Sequence, residues 1–151
     1  MNVRDILKRP AISIDCAATL AVAATTMRRE AVGSLIVTDH NAPVGMVTDR
    51  DLVIRGMARG VALDARIDSV MTIGIIGVAA DADIREAVAA FGTHAVRRLP
   101  VSDDTGVIGV VSVDELVTAF ADELATVSRA LAAQLAFPHA ETEPNPPALV
   151  G

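Results

Sequence analysis

The stretch GMVTDRDL, residues 45–52, returns 64 residues later as GVVSVDEL, residues 109–116, with Gly, a hydroxyl residue, an acid and Leu at matching offsets. A repeat of this length decides the fold, because each copy is one supersecondary unit whose apolar face must be buried on its neighbour. The correspondence extends well beyond the phrase. The same shift places Leu20 on Ile84, Met27 on Phe91, Leu35 on Leu99, Val37 on Val101, Asp39 on Asp103 and Val47 on Val111, with no gap.

Working outward, each copy carries the same pattern. A short apolar run (Ile12 to Ile14; Ile75 to Val78) precedes apolar residues at helical spacing: Leu20, Ala23, Ala24 and Met27 in the first copy, Ile84, Ala87, Val88 and Phe91 in the second. Two β-rich runs follow, Ser34 to Thr38 and Val44 to Thr48 around the turn Asp39 to Pro43, then Arg98 to Ser102 and Val107 to Ser112 around Asp103 to Gly106. A second helix is expected after each hydroxyl residue. The predicted fold is α/β (α+β): strand, helix, strand, strand, helix, twice, with the two three-stranded sheets packed into one pseudo-two-fold unit. The repeats are assigned to residues 1–62 and 63–122.

The last helix is expected to outrun its counterpart. Leu124, Val127, Leu131 and Leu135 continue its apolar stripe through a helical extension over residues 123–137, which would dock on a partner subunit or pack back on its own chain. Residues 138–151, PHAETEPNPPALVG, hold four of the seven prolines and read as a disordered tail.

Composition narrows the function classes. The chain has 151 residues and is 52% hydrophobic, enough for one ordinary core or two small units sharing one. With three Phe and no Trp or Tyr, any bound base would lie against aliphatic side chains. The net charge of −6 argues against a nucleic-acid partner, which needs a dominant positive field. The start, MNVRDILKRP, lacks the pattern of a signal peptide, and the charge-free run Cys16 to Met27 is 12 residues, short of the roughly 18 that span a membrane. Cys16 is the only cysteine, which fits a reducing compartment, so a cytoplasmic location is expected.

The repeated phrase supports two readings. Thr48 with Asp51, and Ser112 with Glu115, have the spacing of a capping box, in which the hydroxyl accepts a first-turn N–H and the acid reaches back to the cap residue's own N–H. The same geometry offers free N–H groups to a phosphate and a carboxylate to the cis-diol of a ribose. Glu is the favoured capping partner and Asp the shorter, stiffer acid, so Thr48 and Asp51 lean toward a nucleotide. Arg50, Arg97 and Arg98 are the candidate counter-charges for its phosphates.

On these residues, with RRLPV followed by an acid (Arg97 to Val101, Asp103) and two G-φ-V-[ST]-x-x-[DE]-L motifs in register, residues 3–122 resemble a pair of cystathionine-beta-synthase (CBS) domains. The run VGMVTDRDLVIRGMARG, residues 44–60, resembles the stand-alone two-repeat bacterial members. The resemblance implies βαββα repeats, flat homodimers, and adenine nucleotides or other adenosyl ligands bound in clefts between repeats. It places Thr48 and Asp51 on ribose and phosphate at one site, with Ser112 and Glu115 at the other. Strand residues near Ile14 and Val78 would contact the base, and Arg97 or Arg98 the phosphates. Two departures stand out: Glu115 where the pattern prefers Asp, and Ile36 where the second copy has Pro100. One competent site is expected.

No nucleophile with its base, metal cluster or phosphate-cradling glycine loop is legible. His40, His94 and His139 are scattered, and Gly74 to Gly77 and Gly106 to Gly109 match neither a Walker loop nor a dinucleotide fingerprint. The expectation is therefore a non-catalytic, ligand-sensing module with no covalent cofactor, no bound metal and an unidentified regulated partner. The alternative is a ligand-free structural interaction module, whose clefts are empty and whose purpose is the dimer itself.

Overall fold

The computed structural model describes residues 1–136, and the expected disordered tail, with His139, lies outside them. Two units are distinguished, Met1–Leu116 and a second beginning at Val117. The first contains both copies of the repeated phrase.

Within the first unit the expected order appears twice. The first copy runs β1 (Ser13–Asp15), α1 (Leu20–Glu30), β2 (Ser34–Asp39), β3 (Ala42–Thr48) and a short α2 (Asp49–Asp51), which continues through a π-helical turn to a 3₁₀ turn ending at Arg59. A strand not expected from the sequence, β4 (Thr72–Ile73), pairs with β3 and makes this sheet four-stranded, in the order β1-β2-β3-β4. The second copy runs β5 (Val78–Ala79), α3 (Ile84–His94), β6 (Arg98–Asp103), β7 (Gly106–Ser112) and α4 (Val113–Ala136), its sheet ordered β5-β6-β7. In both, the first strand is parallel to the second and the second antiparallel to the third.

The third strand of each sheet, β3 and β7, alternates between buried and partly exposed residues, while the central strands do not. Leu35 and Val37 face α1 in a core with Leu20, Ala23, Met27 and Val47. Ile36, between them, is also buried, so the central strand is covered on both faces and reads as a continuous apolar run. Pro100, at the matching position of β6, is likewise fully buried, so the departure from Pro to Ile keeps an apolar residue there. The five-residue turn expected at Asp39 to Pro43 is tighter: Asp39 pairs with Ala42, leaving His40 and Asn41 at the tip, both with positive φ. That is a two-residue hairpin, whose twist matches that of the strands.

The chain segments before each copy are exchanged. Val3 and Arg4 donate their N–H groups to Ala82 and Ala80 of the second copy, and Ala11 donates to Ile108. Symmetrically, Ile67 donates to Ala18, Gly74 donates to Val44, and an Arg66–Thr19 bridge mirrors the Asn2–Asp83 bridge. Residues 2–11 therefore strap the second copy and residues 66–74 the first. A cut between residues 62 and 63 follows the repeat but separates each sheet from its strap.

α1 ends with Ala31 at φ 53, where Val32 N–H returns to Met27 and Ala31 N–H to Arg28. This is the Schellman arrangement, whose left-handed position favours glycine. Ala31→Gly is expected to raise unfolding free energy by about 0.5–1 kcal/mol, the left-handed strain outweighing glycine's added chain entropy. Urea denaturation checks it, and a loss of stability would contradict the cap geometry.

Candidate functional site

Two clefts form where the copies meet, each built around one repeated phrase. The larger, about 560 Å³, is lined by Thr48, Asp49, Arg50 and Asp51 at the start of α2, by Arg97 and Arg98 entering β6, and by an apolar wall that includes Met46, Ile76, Val96 and Pro100. The smaller, about 160 Å³, is lined by Ser112, Asp114 and Glu115, with an apolar wall that includes Ile12, Val32 and Val110. Five of the nine candidate residues thus share the larger cleft, and Ser112 and Glu115 share the smaller.

The repeated phrases are folded alike. Asp51 Oδ2 accepts from Thr48 N–H at 2.9 Å and from its hydroxyl at 3.0 Å, while Asp51 N–H donates to Thr48 Oγ1 at 3.1 Å. Glu115 Oε2 accepts from Ser112 N–H at 2.8 Å and from its hydroxyl at 2.9 Å, and Glu115 N–H returns to Ser112 Oγ at 3.2 Å. Both capping boxes close, so the length of the acid does not separate the two copies as the sequence suggested. In each, the second carboxylate oxygen is left for another partner: Asp51 Oδ1 lies only at long ion-pair range, 3.6 Å, from Arg55 Nε.

The arginines have distinct settings. Arg98 pairs with Asp49 at 3.5 Å, and Arg97 with Asp114 at 3.5 Å. Arg50 has no side-chain hydrogen bond or ion pair among the described residues, so its charge is available to an anion. Arg55 was not foreseen. It sits four residues after Asp51, an i,i+4 pair legible in the sequence, and its Nη1 donates to the carbonyls of Val70 and Met71 and to Thr72 Oγ1, tying the strap to this end of the site.

The expected base-contacting residues fall elsewhere. Ile14 is a core residue under α1, and Val78 lines a separate cleft with Arg4 and Asp103. Ile12 and Ile76, two positions earlier, line the clefts instead, because each lies before the pleat begins, at Ser13 and at Val78.

Other reactive groups lie apart from the clefts. Cys16 is half-buried, and desolvation with the nearby carboxylates of Asp39 and Asp15 pushes its thiol above the ordinary range, away from the nucleophilic thiolate. His40 is exposed on the hairpin tip beside Asp39, and His94 ends α3. Among the described residues no cluster of three His, Cys, Asp or Glu could hold a metal, and no helix is long and apolar enough to cross a membrane.

Residues 3–57 and 67–122 each match the family described as CBS domain. The chain belongs to the CBS-domain family. The two CBS matches coincide with the two copies of the repeat, and CBS domains are regulatory modules. An uncharacterised protein from Methanopyrus kandleri is 32% identical over 120 residues, which are 78% of this chain and 61% of that one. The chain therefore spans less than two thirds of that relative. The CBS domain protein PAE2072 from Pyrobaculum aerophilum, solved in complex with AMP, superposes with a TM-score of 0.72 at 28% identity, covering 83% of this chain and 99% of that one. Hypoxic Response Protein I, solved with two coordinated zinc ions, gives 0.68 at 32% identity, covering 78% and 98%.

Proposed function

We propose that this chain is a non-catalytic regulatory module that binds an adenine nucleotide or related adenosyl ligand in the larger cleft and reports it through the geometry of a homodimer or a partner. The observation that carries this reading is the meeting of Thr48, Asp51 and three arginines on one cleft with an apolar wall. Asp51 Oδ1 faces a ribose diol, the arginines balance phosphate, and Met46, Ile76 and Val96 offer the base an aliphatic surface. The AMP complex of the Pyrobaculum protein supports the ligand class. Ile14 and Val78 have no direct part in this arrangement.

Calorimetric titration with AMP, ATP, NAD and S-adenosylmethionine tests the proposal. Heat from at least one, weakened by Asp51→Ala, is the expected result, while the absence of heat and of any thermal shift with all four would overturn it. Turnover of a bound ligand would replace the regulatory reading with an enzymatic one. Energy sensing and a cytoplasmic setting follow from the same proposal, since both suit a protein that reads nucleotide levels.

A second reading, the dimerisation module, is favoured by α4. Beyond Leu116 it presents Val117, Phe120, Leu124, Val127 and Leu131, all exposed, at alternating spacings of three and four residues, the heptad seam of paired helices. In this reading the clefts stay empty, and the titration above separates it from the first. Truncation after residue 122 is expected to lower the molar mass measured by light scattering from dimer toward monomer. An unchanged mass would remove the seam from the interface.

A further inference from the structure

The two clefts are related by the repeat, yet the second has less than a third of the volume of the first, about 160 against about 560 Å³. Their walls correspond: Ile12 with Ile76, Val32 with Val96, Ser112 with Thr48 and Glu115 with Asp51 line the respective sites. The difference lies in two arginines.

Arg9 stands where the repeat puts Ile73. Ile73 is 80% exposed and lines neither cleft, whereas Arg9 lines the smaller one. Its Nη1 donates to the carbonyls of Glu30 and Ala31, both at 3.0 Å. These carbonyls end α1, where the last turn leaves acceptors without helical donors and a partial negative charge, so a guanidinium rests there stably. Ala95, the counterpart of Ala31, is bare wall in the larger cleft. Arg9 thus covers in one site what the other leaves open.

Arg98 adds to this. It lines both clefts, while its counterpart Ser34 lines only the smaller. Its guanidinium lies so close over Gly33 that a Cβ there would collide with Nη2. A side chain at position 33 would have to push Arg98 aside, so the space above Gly33 is already filled.

The geometry points to Arg9 as the residue that closes the second cleft, so that this chain carries one nucleotide site rather than two. This rests on the nucleotide reading of the larger cleft. A ligand entering the smaller cleft must first displace Arg9 from two carbonyls, an obstacle absent from its counterpart. Glu115 is not the obstacle, since its carboxylate is placed as Asp51 is.

The test is the stoichiometry of calorimetric binding, using AMP, ATP, NAD and S-adenosylmethionine with the full chain. Wild type is expected to bind one ligand per chain, and Arg9→Ala two. Adding Ser112→Ala and Glu115→Ala to Arg9→Ala should return the count to one. Arg9 is exposed, and Arg9→Ser serves as a second variant should Arg9→Ala fold poorly by circular dichroism. One site in wild type and still one in both folded variants overturns the role of Arg9 while leaving the larger site standing. Two sites in wild type also overturn it. No binding by any form overturns the nucleotide reading and this inference with it.

Discussion

Asp51→Asn is expected to weaken adenine-nucleotide binding about 30- to 100-fold while leaving the fold in place. In the proposed site, the free carboxylate oxygen and the anionic charge of Asp51 receive the two hydroxyls of a ribose. Hydrogen bonds to charged groups are worth about 1.5–3 kcal/mol each, and in a cleft that water enters the pair is taken as about 2–3 kcal/mol. At 1.4 kcal/mol per tenfold this gives the stated loss. Asparagine retains an acceptor for Thr48 N–H, now held at 2.9 Å, so the start of α2 should persist and the melting temperature should move by only a few degrees. Glu115→Gln, in the smaller cleft, should leave wild-type affinity within about twofold, because a change at an unoccupied site removes no ligand contact. Equal losses in the two variants would show that the acids act through the fold and not on the ligand.

Leu99→Ala is the second large effect, and it concerns stability. Leu99 lies in β6, the central strand of its sheet, opposite Val111, and is 0% exposed. Truncating a leucine at such a position removes its transfer energy and leaves a cavity that close-packed neighbours fill only in part, a cost of about 3–5 kcal/mol. For a unit of this size the melting temperature should fall by roughly 10–20 °C. Leu63→Ala, at a site 68% exposed, should cost less than about 0.5 kcal/mol. Thermal unfolding followed by circular dichroism measures both, and a cost below about 1 kcal/mol for Leu99→Ala would mean that the strand is not packed as described.

Much of the fold was legible because its signals are local. The 64-residue shift, the β-rich run from Ser34 to Thr38 and the helical spacing from Leu20 to Met27 each depend on near neighbours, and all three reappear in the structure. β4 was missed because two residues carry no period, and only their pairing to Gly45 and Met46 makes them a strand. In the site, the hydroxyl–acid pairs were legible because a capping box closes within four residues. That Ile12 and Ile76, and not Ile14 and Val78 themselves, line the clefts was not legible, since alternation tells which residues share a face but not where the pleat begins.

The sequence by itself determined that this protein is two copies of one βαββα unit, each ending a strand in a hydroxyl–acid helix cap, because those features arise from covalent spacing and nearest-neighbour hydrogen bonds. The sequence put the difference between the two clefts on Glu115, and only the tertiary structure moved it to their arginines. Arg9 reaches α1 across 21 residues of chain, and Arg98 lies over Gly33 from the other copy. Such contacts depend on how the straps and sheets are exchanged between copies, a long-range arrangement that spacing along the chain does not encode.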